Sequence, residues 1–263
     1  MDKFWRVQQP DQPLFPDVLW SKPERRDTAG RLAIVGGNAH GFSAVAAAYQ
    51  TALTTGVGAA RVILPDVLKN KIPPAMTDVI FAPSNPSGGL ASDALNELNA
   101  AADWADLFLF VGDSGANSET AALVENFFKQ NAETPIVLAR DAVDLIKNSA
   151  EIVLKRANTH LVVSLSQLQK LTREVYYPRV ITFSQGAKQI AETLHKFTIT
   201  YPASLTLWHA DNLFVAKNGD VISQKFTAPL RVWSGEIATR EAVWWIWQKD
   251  VVKAAVSAWA DIA

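Results

Sequence analysis

Short apolar runs alternate along the chain with helix-length amphipathic segments, and glycine or proline stands at most of the joints. Leu32-Ala33-Ile34-Val35 is apolar without interruption over a strand's length, which predicts a strand buried on both faces. Gly36-Gly37-Asn38 ends it with residues that accept positive φ and let another molecule approach the backbone. Ser43 is placed to cap the Ala-rich helix that follows, which closes at Gly56 and Gly58. Residues 60–64 predict a second buried strand, stopped by Pro65. Strand, glycine turn, helix and strand make a βαβ unit, whose crossover is right-handed by rule. Its glycine turn lies at the carboxyl end of the first strand, where open α/β sheets bind ligands.

The same texture continues. After a break at Pro73-Pro74, Val79-Ile80-Phe81 predicts a short strand, and Ser92 caps a helix to about residue 102. Residues 106–111 predict another buried strand. It ends in a second glycine turn, Gly112-Asp113-Ser114-Gly115-Ala116, and a helix over about 119–130 follows. Strands are expected at 135–138, 159–163 and 180–183, with helices at 141–148 and 167–171 between them; Ser184 then opens a helix to about residue 195. Asp141 reads as an N-cap. From there the pattern changes. Residues 205–208 and 212–216 are strands with no helix between, and Asn218-Gly219 signals a two-residue hairpin into Val221-Ile222-Ser223. Helices over about 235–248 and 251–262 close the chain.

These elements predict one α/β domain over residues 31–263. It has three layers, α/β/α, with a mostly parallel central sheet and a β-hairpin near residues 205–225. Residues 1–30 carry Pro10, Pro13, Pro16 and Pro23 among Phe4, Trp5, Leu14, Phe15 and Trp20. They read as an irregular arm docked on the body by its aromatics.

Composition narrows the chemistry. With 49% hydrophobic and 19% charged residues, the 263-residue chain can bury a substantial core. A net charge of -1 supplies no excess of cations for broad nucleic-acid binding. The absence of cysteine excludes thiol catalysis, disulfides and thiolate zinc sites. His40, His160, His195 and His209 fall on separate elements without metal spacing, so structural or surface roles and no metal site are expected. No Gly-x-Ser-x-Gly elbow is present. Nothing in the sequence is long and apolar enough to span a membrane, and the first residues lack a signal-peptide core, so a cytoplasmic protein is the default expectation. Val243-Trp244-Trp245-Ile246-Trp247 is apolar around most of a helix, which implies core packing or a subunit contact.

The strings from Gly30 to Asn38 and from Ala52 to Ala59, with Phe42-Ser43-Ala44 between them, resemble the ADP- or ATP-dependent NAD(P)H-hydrate dehydratases, which have a ribokinase-like fold. The resemblance runs over most of residues 28–250 and is specific at the start. It implies ATP or ADP with Mg²⁺ as phosphate donor and an NAD(P)H hydrate as substrate. The hydrate hydroxyl would be phosphorylated, and elimination of phosphate would restore the dinucleotide. It further implies a homo-oligomer, with Gly36, Gly37, Asn38 and Ala44 lining the hydrate site beside Gly112 and Gly115. Ser234 and Gly235 would face the nucleotide phosphates, and Glu236 would act as base.

The later motifs depart from that family. Its mid-sheet glycine turn keeps Gly112 and Gly115 but has Ala116 in place of the last Gly. Its Asp-Ala-Asp reads Ala139-Arg140-Asp141, and its Thr-Pro-His-Pro-Gly-Glu falls on Val162-Val163-Ser164-Leu165-Ser166-Gln167. Its Lys-Gly before the hairpin is Trp208-His209, and its catalytic Gly-x-Gly-Asp is Trp233-Ser234-Gly235-Glu236. In such kinases helix N-terminal amides form an anion hole and the Asp takes the hydroxyl proton. Glu is one methylene longer, and a misplacement of about 1 Å costs roughly 10²-fold in rate. Trp233 brings a bulky side chain where backbone should meet phosphate. Two further readings therefore stand: an inactive pseudoenzyme kept as a binding or assembly module, with the tryptophan-rich helix as its contact surface, and a sugar or vitamin kinase.

Overall fold

A computed structural model describes residues 3–9 and 11–262 of the chain. The first half runs β1 (Trp5–Gln8), β2 (Arg31–Gly36), α1 (Ser43–Thr55), β3 (Ala59–Pro65), β4 (Val79–Ala82), α2 (Leu95–Trp104), β5 (Leu107–Gly112) and α3 (Ser118–Gln130). Then come β6 (Ile136–Ala139), α4 (Ala142–Leu145), α5 (Ala150–Leu154), β7 (Thr159–Val163), α6 (Leu165–Glu174) and α7 (Ala187–Thr200). Strands β8 (Ser204–His209), β9 (Asn212–Lys217) and β10 (Asp220–Lys225) precede α8 (Pro229–Trp233), α9 (Glu236–Trp247) and α10 (Val251–Ala260).

The ten strands of the described residues join one sheet in the order β1-β10-β9-β8-β7-β6-β5-β2-β3-β4. The run from β8 to β4 is parallel, and β8-β9-β10 is an antiparallel meander. The β9–β10 turn is the expected Asn218-Gly219, with φ of 51° and 85°, the left-handed pair such a two-residue turn requires. Chain order reverses at β2, which pairs with β3 on one side and β5 on the other. This switch point opens a crevice at the strands' carboxyl ends.

Period-two alternation sorts side chains between the two helical layers. Ala33 and Val35 face the layer of α2 to α7, whereas Leu32 and Ile34 face α1, α9 and α10. In the first layer Phe108, Phe110, Phe127 and Phe128 form one aromatic cluster, with Phe108 and Phe127 centroids 4.8 Å apart. Burying each ring stabilises by about 1.5–3 kcal/mol, which fixes α3 on β5. In the second layer Trp244 and Trp259 are fully buried, and Trp245 nearly so. The all-round apolarity of residues 243–247 thus reflects burial of α9 within this chain, between the sheet, α1 and α10.

Local expectations needed correction in several places. Residues 180–183 do not form a strand, and Val180 and Phe183 are exposed. Both edges of β7 are already taken, by β6 and β8, which leaves this apolar segment no partner. The helix expected from Ser184 begins at Ala187. Neither Ser43 nor Ser92 caps its helix through its side chain. Residues before Gly30 contribute more order than an irregular arm: β1 pairs parallel with β10, and Gln8 is buried against Gln224 and the Val256 carbonyl. No helix among the described residues is long and apolar enough to cross a membrane.

Candidate ligand site at the strand carboxyl ends

Glycine turns after β2 and β5 meet at the switch point. Gly37 N–H donates to the Gly112 carbonyl at 2.9 Å, and the Asn38 amide donates to the Asp113 carbonyl at 2.6 Å. Gly112 has φ of 97°, a conformation that costs a side chain dearly, and a Cβ there would run into the Asp141 carboxylate. The structure therefore brings Gly36, Gly37, Asn38, Ala44, Gly112 and Gly115 together at one end of the sheet. From the other side, the loop of residues 85–90 closes over them, with Ala39 N–H donating to the Gly88 carbonyl at 2.9 Å.

Two of the places where an anion could sit are occupied by carboxylates of the chain itself. The N–H groups of Asp113, Ser114 and Gly115 converge, as the turn predicts, but they donate to Asp141 at 2.8, 3.0 and 3.2 Å. Asp141 stands at the N-cap position of α4, yet its side chain makes no capping bond. The N-cap expected for Asp141 is replaced by this longer-range role, which satisfies three donors at once. The start of α1 is filled in the same manner. Asp113 Oδ2 accepts from Ala44 N–H at 2.7 Å and Ser43 Oγ at 3.3 Å, so a carboxylate from a distant turn caps this helix and complements its dipole.

Arg140 ties these groups to the last helices. Its Nη2 donates to Asp113 Oδ1 at 2.8 Å, and its Nη1 to the Trp233 carbonyl at 2.6 Å. Its Cδ lies over Gly235, 3.2 Å from where a Cβ would stand. Val111 and Arg140 together pack on Gly235, and Trp233 instead turns outward, half-exposed, with its ring edge-on to Trp208. Helix α8 runs almost directly into α9. In consequence the N–H groups of Ser234 and Gly235 donate back to Leu230 and Val232 carbonyls, at 2.8 and 3.1 Å. Glu236 is clamped: Arg231 donates to both its oxygens, at 2.6 and 3.1 Å, and Arg240 Nε adds a third bond at 3.1 Å. Hydrogen bonding from Arg231 holds the Glu236 carboxyl below its ordinary value, against a smaller opposing effect of burial.

A cavity of about 440 Å³ opens beside this network, lined by Arg140, Asp144, Ser164, Gln167, Lys170 and Trp233 among others. Ser164 and Gln167 form a capping box at the start of α6. Gln167 also donates to the Arg140 carbonyl at 2.7 Å and to Asp144 at 2.9 Å. Arg140 was legible in the sequence only as a motif loss. Its neighbours lie 27 and 93 residues away, and no local pattern announces such pairs. No cluster of three or more histidine or acidic side chains placed to hold a metal occurs among the described residues.

Searches with family models and among curated proteins found no match. Solved structures match across nearly the whole chain. A ribokinase-like superfamily protein from Enterococcus faecalis superposes with a TM-score of 0.74 at 12% identity, covering 98% of this chain and 86% of the other. The chain has the ribokinase-like fold. The ADP/ATP-dependent NAD(P)H-hydrate dehydratase of Bacillus subtilis, co-crystallised with ATP and Mg²⁺, matches with a TM-score of 0.60 at 14% identity, over 94% of this chain and 85% of that one. Hydroxyethylthiazole kinase from Pyrococcus horikoshii matches with a TM-score of 0.60 at 12% identity, over 92% and 81%. A dehydratase and a kinase thus share this architecture.

Proposed function

We propose that this chain is a ribokinase-like pseudoenzyme: a binding module that no longer transfers phosphoryl groups. The observation that carries the reading is the clamp on Glu236. A general base must present a free lone pair to the substrate hydroxyl, and its basicity must suit the working pH. Glu236 accepts three hydrogen bonds from Arg231 and Arg240, two of them on Oε1, which stabilise its charged form and leave it a weaker base. Two further features support the reading. Arg140 packs against Gly235 beside Val111, and its Nη1 donates to the Trp233 carbonyl just before it. The residues present do not suit ATP or ADP with Mg²⁺ in the manner the sequence resemblance implies. The amides of Ser234 and Gly235, which the resemblance turns toward phosphate, are engaged with carbonyls of the preceding turn.

A second reading, a divergent nucleotide-dependent NAD(P)H-hydrate dehydratase, draws on the meeting of both glycine turns and Glu236 at one end of the sheet. It requires Glu236 to leave both arginines. The deciding experiment incubates the protein with ATP or ADP, Mg²⁺ and hydrated NADH and follows the return of nicotinamide absorbance. The pseudoenzyme reading expects no turnover and no thermal stabilisation by either nucleotide. Turnover that disappears in Glu236→Gln would establish the dehydratase instead.

A further inference from the structure

A second cavity, of about 730 Å³, lies at the opposite end of the sheet, under the amino ends of β5, β6 and β7. Its wall combines Trp245 and Ile246 near the carboxyl end of α9 with Lys217 at the end of β9 and Lys249 just beyond α9. Most other charges around it have partners or a facing charge, Glu133 acting on the neighbouring Arg156 guanidinium. Lys155 pairs with Glu151 at 2.6 Å, and Asp106 faces Arg31 at 3.6 Å. Arg156 donates to the carbonyls of Phe128, Asn131 and Thr134. Lys217 and Lys249 differ: neither has a carboxylate within ion-pair distance among the described residues, and the Lys217 ammonium has one carbonyl, of Ala157 at 2.9 Å.

The Lys217 ammonium is half-buried, bonds one carbonyl and has Asp250 only beyond ion-pair distance as counter-charge, so an anion entering the cavity would improve its pairing. Burial accordingly lowers the Lys217 pKa from its ordinary value. Beside the two cations, the indole and the isoleucine offer apolar surface. We propose that this basal cavity is a ligand site for a small organic anion. Its carboxylate or phosphate is held by Lys217 and Lys249, and its apolar body rests on Trp245 and Ile246. The site stands apart from the switch-point crevice and does not depend on whether that crevice is catalytic.

Calorimetric titration of the full chain tests this with two probes, salicylate for carboxylates and AMP for phosphates, against neutral salicylamide and adenosine. At least one anion should bind saturably while its neutral counterpart does not, and the winning arm identifies the head group. Lys217→Gln with Lys249→Gln should weaken that binding by roughly tenfold or more, whereas Lys69→Gln, at an exposed position away from the cavity, leaves it unchanged. Lys249→Gln alone, at an exposed position, gives a smaller loss and guards against a folding defect in the double variant. Failure of both anions to saturate, or binding that survives the double substitution, overturns the proposal.

Discussion

Arg140 and Asp113 join the carboxyl ends of two neighbouring strands through a 2.8 Å ion pair, and each holds its backbone at a φ of 56°. Left-handed backbone is unfavourable for both residue types and persists only where the surroundings over-determine it. Here the surroundings are mutual. Asp113 also caps α1, Arg140 also reaches Trp233, and Asp141 holds the turn that carries Asp113. The pair therefore works as a tie among α1, β5, β6 and α8.

Cutting that tie should be costly. Arg140→Ala leaves a largely buried Asp113 carboxylate with one charged partner fewer and the Trp233 carbonyl without its donor. Losing hydrogen bonds to charged groups predicts a destabilisation of about 1.5–3 kcal/mol, read by urea denaturation. In a double-mutant cycle with Asp113→Ala the two losses should not add, because both remove one interaction. Additive losses would mean that Arg140 acts through Trp233 alone.

Glu236 gives a pH-dependent signature. Its folded-state pKa lies below the ordinary 4.5, so its pairing stabilises the fold above the unfolded value. That contribution is lost as pH falls through the lower, folded-state value. Glu236→Gln should therefore be less stable than the parent at neutral pH by about 1 kcal/mol, the scale of a partly exposed ion pair. The gap should close in acid, where the parent carboxylate is protonated as well. Parallel stability curves for the two proteins down to about pH 3 would show that the arginines contribute packing rather than charge.

A buried polar group in the second layer makes a larger claim. Glu241 on α9 accepts from Trp259 at 2.7 Å and Thr206 at 3.1 Å, and lies 2.9 Å from His160 Nε2. His160 is in turn 2.8 Å from Ser204 Oγ, and none of these groups is exposed. Removing one member of such a network leaves the others buried and unpaired. Glu241→Ala should cost about 3–5 kcal/mol in chemical denaturation. Glu241→Gln keeps the shape and part of the bonding, and should cost clearly less.

How much of this was legible beforehand follows from the range of each signal. Strands β2, β3 and β5 announced themselves as apolar runs, and Asn218-Gly219 announced the hairpin, because period and turn chemistry are local. The meeting of the two glycine turns followed from the rule for open sheets. Val180 to Phe183 carried a strand's composition and still found no edge, since strand formation depends on a partner that composition cannot name. Asp113 capping α1 across 69 residues, and His160 meeting Glu241 across 81, are products of the completed fold. Arg140 reads in the sequence only as a departure from a motif, whereas in the fold it pairs with Asp113 and reaches the Trp233 carbonyl.

Asp141 allows the plugged crevice to be reopened. Its carboxylate neutralises three converging N–H groups beside a strand end, an arrangement suited to any compact anion. Asp141→Ala removes that internal ligand and should lower stability by about 1.5–3 kcal/mol, because the three amides lose a charged acceptor. The same variant should then regain stability as inorganic phosphate is added. A ligand at about 100 times its dissociation constant stabilises by about 2.7 kcal/mol, enough to restore most of the loss. The parent protein, with its nest already filled, should show only the small general effect of salt. Melting curves of both proteins over a phosphate series, with chloride at matched ionic strength as control, decide the matter. An equal phosphate response from the two would mean that the amides are not an anion site.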